Sequence, residues 1–345
     1  MTKSILKQQI NLQKSPDDPS GCTYTTSWHE DWTMGSVLHG GCVAAAIHQA
    51  AETHLVTDPK LKARNQPDVM KLHLEFLYQC VRSPGVIKIS TLRAGATACT
   101  LQLHLFQHDE LKVVGLATST KFDIPLGPSA PTAWTLLPPP KPIPDFNNWP
   151  DDHWLPARIV GPILPFTSRF VYLNPRGGFT VPGICDGWYG FMNGERMDAT
   201  YLALMTDVIP SMSDTLTRNN GLYDAHAAFR KMEDWAETKD PRTVAVITNS
   251  VKEAMKAETH NATVTLDIEY KRRLPPQGLE WVFTRTAVRM MEAGRMDVEM
   301  TMCDETMGLV AVAQQMILVL PAQRKFAPRP ASGGSKNDQK TKSVL

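Results

Sequence analysis

Lys71-Leu72-His73-Leu74-Glu75-Phe76 and Thr265-Leu266-Asp267-Ile268-Glu269-Tyr270 decide the fold class of this 345-residue chain. Both alternate apolar and polar side chains at period two, the pattern of a strand with one buried face. Each opens a run of similar segments, residues 86–92, 100–106 and 112–118 in the first half and 280–288, 295–302 and 309–319 in the second. The offset between the runs stays near 194 to 197 residues, and the turns correspond too, Arg82-Ser83-Pro84-Gly85 with Leu274-Pro275-Pro276-Gln277-Gly278. Two copies of one antiparallel meander are expected.

Upstream of each meander lies a mostly apolar segment of helical period. The first is HGGCVAAAIHQAAETH at 39–54, rich in Ala so that its backbone can approach a sheet closely; the second is DATYLALMTDVIP at 198–210. The class is therefore α+β, with a central helix wrapped by a curved antiparallel sheet, given twice.

Between the copies the composition changes. Pro131, Pro138, Pro139, Pro140, Pro142, Pro144, Pro150, Pro156, Pro162 and Pro165 exclude regular helix and central strand and favour extended backbone. Trp134, Phe146, Trp149 and Trp154 within it imply that the stretch packs on the domains. The expected division is a first unit at 1–126, a Pro-rich linker at 127–165, a second unit at 166–322 and a disordered tail at 323–345, rich in Pro, Gly, Ser and Lys.

Lys and Arg number 36 against 35 Asp and Glu, a net charge of +1, so no long-range field favours nucleic acid or an anionic membrane. The N-terminus lacks a signal-peptide core and no run of about 18 apolar residues occurs, so no membrane span is expected. Cys22, Cys42, Cys80, Cys99, Cys185 and Cys303 are scattered without a CxxC, which reads as reduced thiols in the cytoplasm, with neither disulfides nor a metal site. The terminal Ser343-Val344-Leu345 shares its first and last residue types with a peroxisomal address but lacks the basic middle one. No GxSxG, GxGxxG, P-loop or HExxH occurs, so serine hydrolase, nucleotide and zinc peptidase chemistries lack support and no cofactor is implied.

Val37-Leu38-His39-Gly40-Gly41, Gly187-Trp188-Tyr189-Gly190-Phe191, Tyr201-Leu202-Ala203-Leu204-Met205-Thr206-Asp207, Thr263-Val264-Thr265-Leu266-Asp267, Gly294-Arg295-Met296-Asp297 and Val312-Ala313-Gln314-Gln315 together resemble the type II acyl-CoA thioesterases and the wider thioesterase-like double hotdog proteins, over roughly residues 20 to 322. The resemblance implies a double hotdog fold and a water held by an Asp on the second helix, a Thr at a strand start and a Gln on the last strand. Matched motif to motif, those roles fall on Asp207, Thr265 and Gln314. An insertion at about 219–256, with a helix over 223–238, departs from the family pattern and is placed to cap or reshape the pocket.

The residues support that chemistry on their own terms. Asp207 projects beside Ala203, Leu204 and Val208, where an unpaired carboxylate is costly outside a working site, although a helix end reaching solvent would also accommodate it. Gln314 interrupts the apolar run 309–319 and must find partners if buried, and Gln315, on the opposite strand face, competes for the role. His39, Gly40 and Gly41 open the first helix, whose free N–H groups suit an oxyanion or substrate carbonyl, or merely a tight turn. The mirrored set is missing, since Lys71 stands where Thr265 does, Ala117 or Thr118 where Gln314 does, and His48-Gln49 occupy mid-helix. The Lys271-Arg272-Arg273 trio either meets coenzyme A phosphates or is a solvated strand end.

The leading expectation is hydrolysis of an acyl thioester carried by coenzyme A or an acyl carrier protein. A dehydratase, isomerase or cyclase of polyketide-type biosynthesis is the second reading, although no Asp-x-Asn-Pro-x-His signature is present. A noncatalytic hotdog binding lipid or a partner is the third. Exposed sheet edges leave a homodimer or higher oligomer open.

Overall fold

A computed structural model describes residues 4–147, 151–221, 223–239 and 243–322. The tail from 323 and Trp149 lie outside these residues.

The first half begins with a helix, α1 (Ile5–Ile10), two short strands, β1 (Gln13–Lys14) and β2 (Thr23–Thr26), and a small hairpin of β3 (Thr33–Met34) and β4 (Val37–Leu38). Then come α2 (Gly40–Thr57), α3 (Pro59–Arg64) and the meander β5 (Asp68–Phe76), β6 (Gly85–Ala94), β7 (Cys99–Gln107) and β8 (Glu110–Thr120). The second half runs β9 (Trp154–Val160), β10 (Phe170–Pro175), β11 (Ile184–Phe191), α4 (Ala199–Met205), α5 (Met212–Thr217) and α6 (Ala225–Thr238). It continues with β12 (Ala245–Thr248), α7 (Val251–Ala254), β13 (Thr259–Tyr270), β14 (Trp281–Ala287), β15 (Met291–Glu292), β16 (Arg295–Cys303) and β17 (Leu309–Pro321).

All strands but β3 and β4 form one sheet in the order β1-β2-β6-β7-β8-β5-β13-β17-β16-β14-β11-β10-β9-β12, with β15 beside β16. The two opening strands of the meanders are its centre: β5 and β13 pair antiparallel, Leu72 against Ile268 and Leu74 against Leu266. Their apolar side chains all point to one face and are buried there with Ile47 of α2 and Leu204 of α4 in a single core cluster. Leu72, Leu74 and Ile268 are wholly excluded from water, so each contributes on the order of 2 kcal/mol of burial free energy.

Helix α2 carries no polar stripe in its first two turns, where Gly41 through His48 are all buried, as expected of a helix enclosed on every side. Helix α4 is shorter; Asp198 caps it by accepting from Tyr201 N at 3.0 Å, and Thr200 through Met205 are buried. The two helices pack against each other on the concave face of the sheet, giving the double hotdog arrangement.

The Pro-rich stretch packs as its aromatic residues suggested. Phe146 stacks on Trp281 at 5.1 Å, Trp154 Nε1 donates to Pro142 O at 2.7 Å and Arg285 Nη1 donates to Pro138 O at 2.6 Å. The exclusion of central strand from this stretch is corrected by β9, which pairs with β10 on one side and with β12 on the other. Its proline is tolerated because β12 pairs only from Ala157 onward, so Pro156 has a neighbour on one side only.

The insertion forms α6 within the expected span. Its Phe229 and Met232 cover Leu155, Ala157, Ala245 and Ile247, so α6 shields the sheet edge.

Candidate active site

The site forms where the start of α2 meets the end of α4. Two glycines permit the approach: a Cβ on Gly41 would lie 2.4 Å from Leu204 O and 3.0 Å from Asp207 Cβ, and one on Gly40 would lie 3.0 Å from Asp207 Oδ2. Any larger residue at 41 would force the helices apart. Asp207 follows the last turn of α4, its N–H donating to Leu204 O at 3.1 Å, and its side chain is about one-fifth exposed at 21%.

The carboxylate is held from across the helix pair. Gly41 N donates to Oδ2 at 2.9 Å, and His39 Nε2 lies 3.1 Å from the Asp207 carbonyl oxygen and 3.3 Å from Oδ2. The amide of Gly41 belongs to the first turn of an 18-residue helix, whose unpaired N–H groups and positive end favour a negative charge. Oδ1 accepts nothing among the described residues, and Gly40 N–H has no acceptor among them.

Gln315 on β17, only 2% exposed, reaches the same place from the sheet. Its Nε2 donates to Thr206 O, a carbonyl left unpaired at the end of α4, and its Oε1 accepts from Thr263 Oγ1 at 3.3 Å. A partly buried chain of polar contacts thus runs from Thr263 through Gln315 to the residue preceding Asp207.

The structure brings together Asp207, His39, Gly40 and Gly41, but not Thr265 or Gln314. Gln314 is exposed and Thr265 pairs with Met316 and Glu75 on the outer face of the sheet. The reason is a register shift between Thr263 and Thr265 that leaves Val264 unpaired as a bulge. Leu266, Ile268 and Tyr270 take the inner face, Thr265, Asp267 and Glu269 the outer, and past the bulge Thr263 returns to the inner face opposite buried Ile317. On β17, Ala313, Gln315 and Ile317 alternate inward, which sends Gln314 out. A signal was present: Thr265 shares its period with the charged Asp267 and Glu269.

The corresponding place in the first half has different chemistry. The bulge at Val264 has its counterpart at Met70, so Val69 occupies the position of Thr263 and Ala117 that of Gln315. On the helices His48 stands where Asp207 does and Thr200 where Gly41 does, His48 Nδ1 lying 3.2 Å from Thr200 Oγ1. Burial pushes the His48 pKa down, and α1 closes this end through Lys7, which meets Asp198 at 2.7 Å and Glu52 at 3.5 Å. Glu52 is half-buried in this pairing.

The basic trio is engaged with carboxylates. Lys271 pairs with Glu269, Arg272 with Asp304, and Arg273 with Asp68 and Asp123. Met296, Met300 and Met302 of β16 are buried, while Met290 is exposed. No cluster of His, Cys, Asp and Glu fit to hold a metal occurs among the described residues, and none of their helices is long and apolar enough to cross a membrane.

Residues 28–120 match the model of the acyl-CoA thioesterase N-terminal domain, and residues 139–319 match that of the C-terminal domain. The chain belongs to the acyl-CoA thioesterase family. A relative of this thioesterase-family chain is the thioesterase-like protein TwmA of Talaromyces wortmannii, 26% identical over 337 residues, with 91% of this chain and 92% of TwmA covered. Among solved structures, the acyl-CoA thioesterase II TesB2 of Mycobacterium marinum superposes with a TM-score of 0.59 at 17% identity, covering 96% of this chain and 99% of that one. A hot dog fold protein from Alicyclobacillus acidocaldarius gives 0.61 at 15%, covering 91% and 97%. This thioesterase-type enzyme thus has the double hotdog architecture of those neighbours.

Proposed function

We propose that this thioesterase-family enzyme hydrolyses an acyl thioester, carried by coenzyme A or by an acyl carrier protein, with Asp207 as the general base. The observation that carries the reading is the state of the Asp207 carboxylate: Oδ2 is anchored by Gly41 N–H at 2.9 Å, while Oδ1 is free of protein donors among the described residues. One oxygen is fixed and the other is left for a water.

In the proposed reaction Oδ1 accepts a proton from that water as its oxygen attacks the thioester carbonyl carbon. The carbonyl oxygen becomes negative and takes the Gly40 N–H, the donor left over in the first turn of α2. Collapse breaks the C–S bond, the proton held by Asp207 passes to the departing thiolate, and acid and thiol leave. Thr263 and Gln315 replace Thr265 and Gln314 as the neutral polar partners, because their side chains lie on the inner face.

Thiol release from a panel of acyl-CoA esters, short to long, tests this, with the reaction run in ¹⁸O-water. Turnover with one labelled oxygen in the released acid is expected. Consumption of the thioester without label in the product would point to a cyclase-type or other non-hydrolytic reaction.

A further inference from the structure

The imidazole of His39 is held more firmly than a turn-capping residue requires. It is the N-cap of α2, yet its side chain makes no capping bond. The backbone N–H of His39 donates to Trp32 O at 2.9 Å, and the imidazole ring lies against Phe166 with centroids 5.3 Å apart. Phe166 in turn stacks on Trp32 at 4.7 Å and 24°, and the Arg169 guanidinium lies over the Trp32 ring at 4.8 Å. The ladder takes Trp32 and His39 from the first half and Phe166 and Arg169 from the second, so both halves fix one ring.

That ring directs Nε2 at two acceptors of one residue, the carbonyl oxygen of Asp207 at 3.1 Å and its Oδ2 at 3.3 Å. Its other nitrogen, Nδ1, is buried with no hydrogen-bond partner among the described residues. Two acceptors at Nε2 and none at Nδ1 select the neutral tautomer with its proton on Nε2. A second proton, on Nδ1, would be an unpaired buried donor.

We propose that His39 is a positioning residue that holds Asp207 as a neutral Nε2–H donor, which makes Oδ2 the anchored oxygen and Oδ1 the one that receives the proton. This rests on the hydrolytic reading of the site. Oδ2 then has two donors, Gly41 N–H and His39 Nε2–H, while the carbonyl contact fixes the backbone that carries the carboxylate. A neutral donor orients the carboxylate without pairing it to a full positive charge, which would lower its basicity.

The test compares His39→Leu, which removes the donor, with His39→Gln, whose amide restores one, both alone and in the Asp207→Asn background. We expect His39→Leu to lower kcat by about tenfold to a hundredfold with KM within about twofold, as for a group that orients a base. The Gln variant should recover most of the loss. In the Asp207→Asn background His39→Leu should cost little more, since residues acting through one another are not additive. Loss of kcat in both His39 variants alike with native circular dichroism, or full additivity with Asp207→Asn, would overturn the proposal.

A second readout needs no substrate. In ¹⁵N-histidine-labelled protein, His39 should show a protonated Nε2 and a bare Nδ1 near neutral pH, and an Nδ1–H tautomer would overturn the assignment. An unchanged activity in Asp207→Asn alone would instead remove the hydrolytic reading and leave the tautomer result standing.

Discussion

Thr263 and Gln315 share the inner face of the central sheet, with Thr263 Oγ1 3.3 Å from Gln315 Oε1, although Thr265 and Gln314 are their near neighbours in sequence. The relation gives a paired test. Gln315→Ala strips the donor from Thr206 O and should lower stability by about 1–3 kcal/mol, because a buried carbonyl is left unsatisfied. Activity should fall at least tenfold in Gln315→Ala and in Thr263→Val. Gln314→Ala and Thr265→Val, on the outer face, should stay within about 0.5 kcal/mol and keep their turnover. Chemical denaturation and thiol-release assays on the four variants decide it, and a larger loss at 314 or 265 would contradict the face assignment.

The two glycines should separate packing from chemistry. In Gly41→Ala the new Cβ would meet Leu204 O at 2.4 Å, backbone that cannot turn aside, so stability should fall by about 1–3 kcal/mol or more. In Gly40→Ala the nearest atom is Asp207 Oδ2 at 3.0 Å, a side chain that can move. Its stability should therefore change little, helped by the better helix propensity of Ala, while kcat falls as the carboxylate is displaced. Equal melting temperatures for the two variants would contradict this packing.

His48 gives the fold a pH dependence of defined sign. Burial is the largest influence on it and pushes its pKa below the ordinary 6.5, so near and below that pH the unfolded chain binds the proton more readily than the folded one. The stability that comes from burying neutral His48 is therefore present above pH 6.5 and is lost as the pH falls below it, at up to about 1.4 kcal/mol per pH unit. His48→Gln should flatten that limb of a plot of melting temperature against pH between 7.5 and 5, and parallel plots would contradict it.

Arg285 and Asp186 tie β14 to β11 with two 2.7 Å bonds, and both side chains are largely buried. The same guanidinium holds the Pro-rich stretch through Pro138 O at 2.6 Å. Asp186→Asn or Arg285→Met leaves one charge uncompensated and should cost about 3–5 kcal/mol. Urea denaturation measures it, and a loss under about 1 kcal/mol would show that the pair is solvated.

The fold was legible because each meander alternates cleanly, with Leu72, Leu74, Leu266 and Ile268 marking the buried face for the helices. Asp207 was singled out by the motif resemblance, and His39, Gly40 and Gly41 by their place at the start of the first helix. What the sequence hid was the bulge: Val264 is an ordinary strand residue, so nothing in it announces that one position goes unpaired and that Thr263 turns inward. Gln314 and Gln315 lie in an apolar run whose two faces read alike, and only burial separates them. Strand β9 was masked by Pro156, whose missing N–H matters only where a second neighbour needs it. Helix α1, six residues long, is too short to show a period, yet it closes the mirrored end of the molecule.

The most direct test of the account is thiol release from acyl-CoA esters by the natural protein and by Asp207→Asn, at matched folding stability. Turnover by the first and a loss in kcat of about a hundredfold or more in the second are expected, the range for removal of a general base. Turnover that survives the substitution within a few-fold would contradict the assignment of Asp207 as the base.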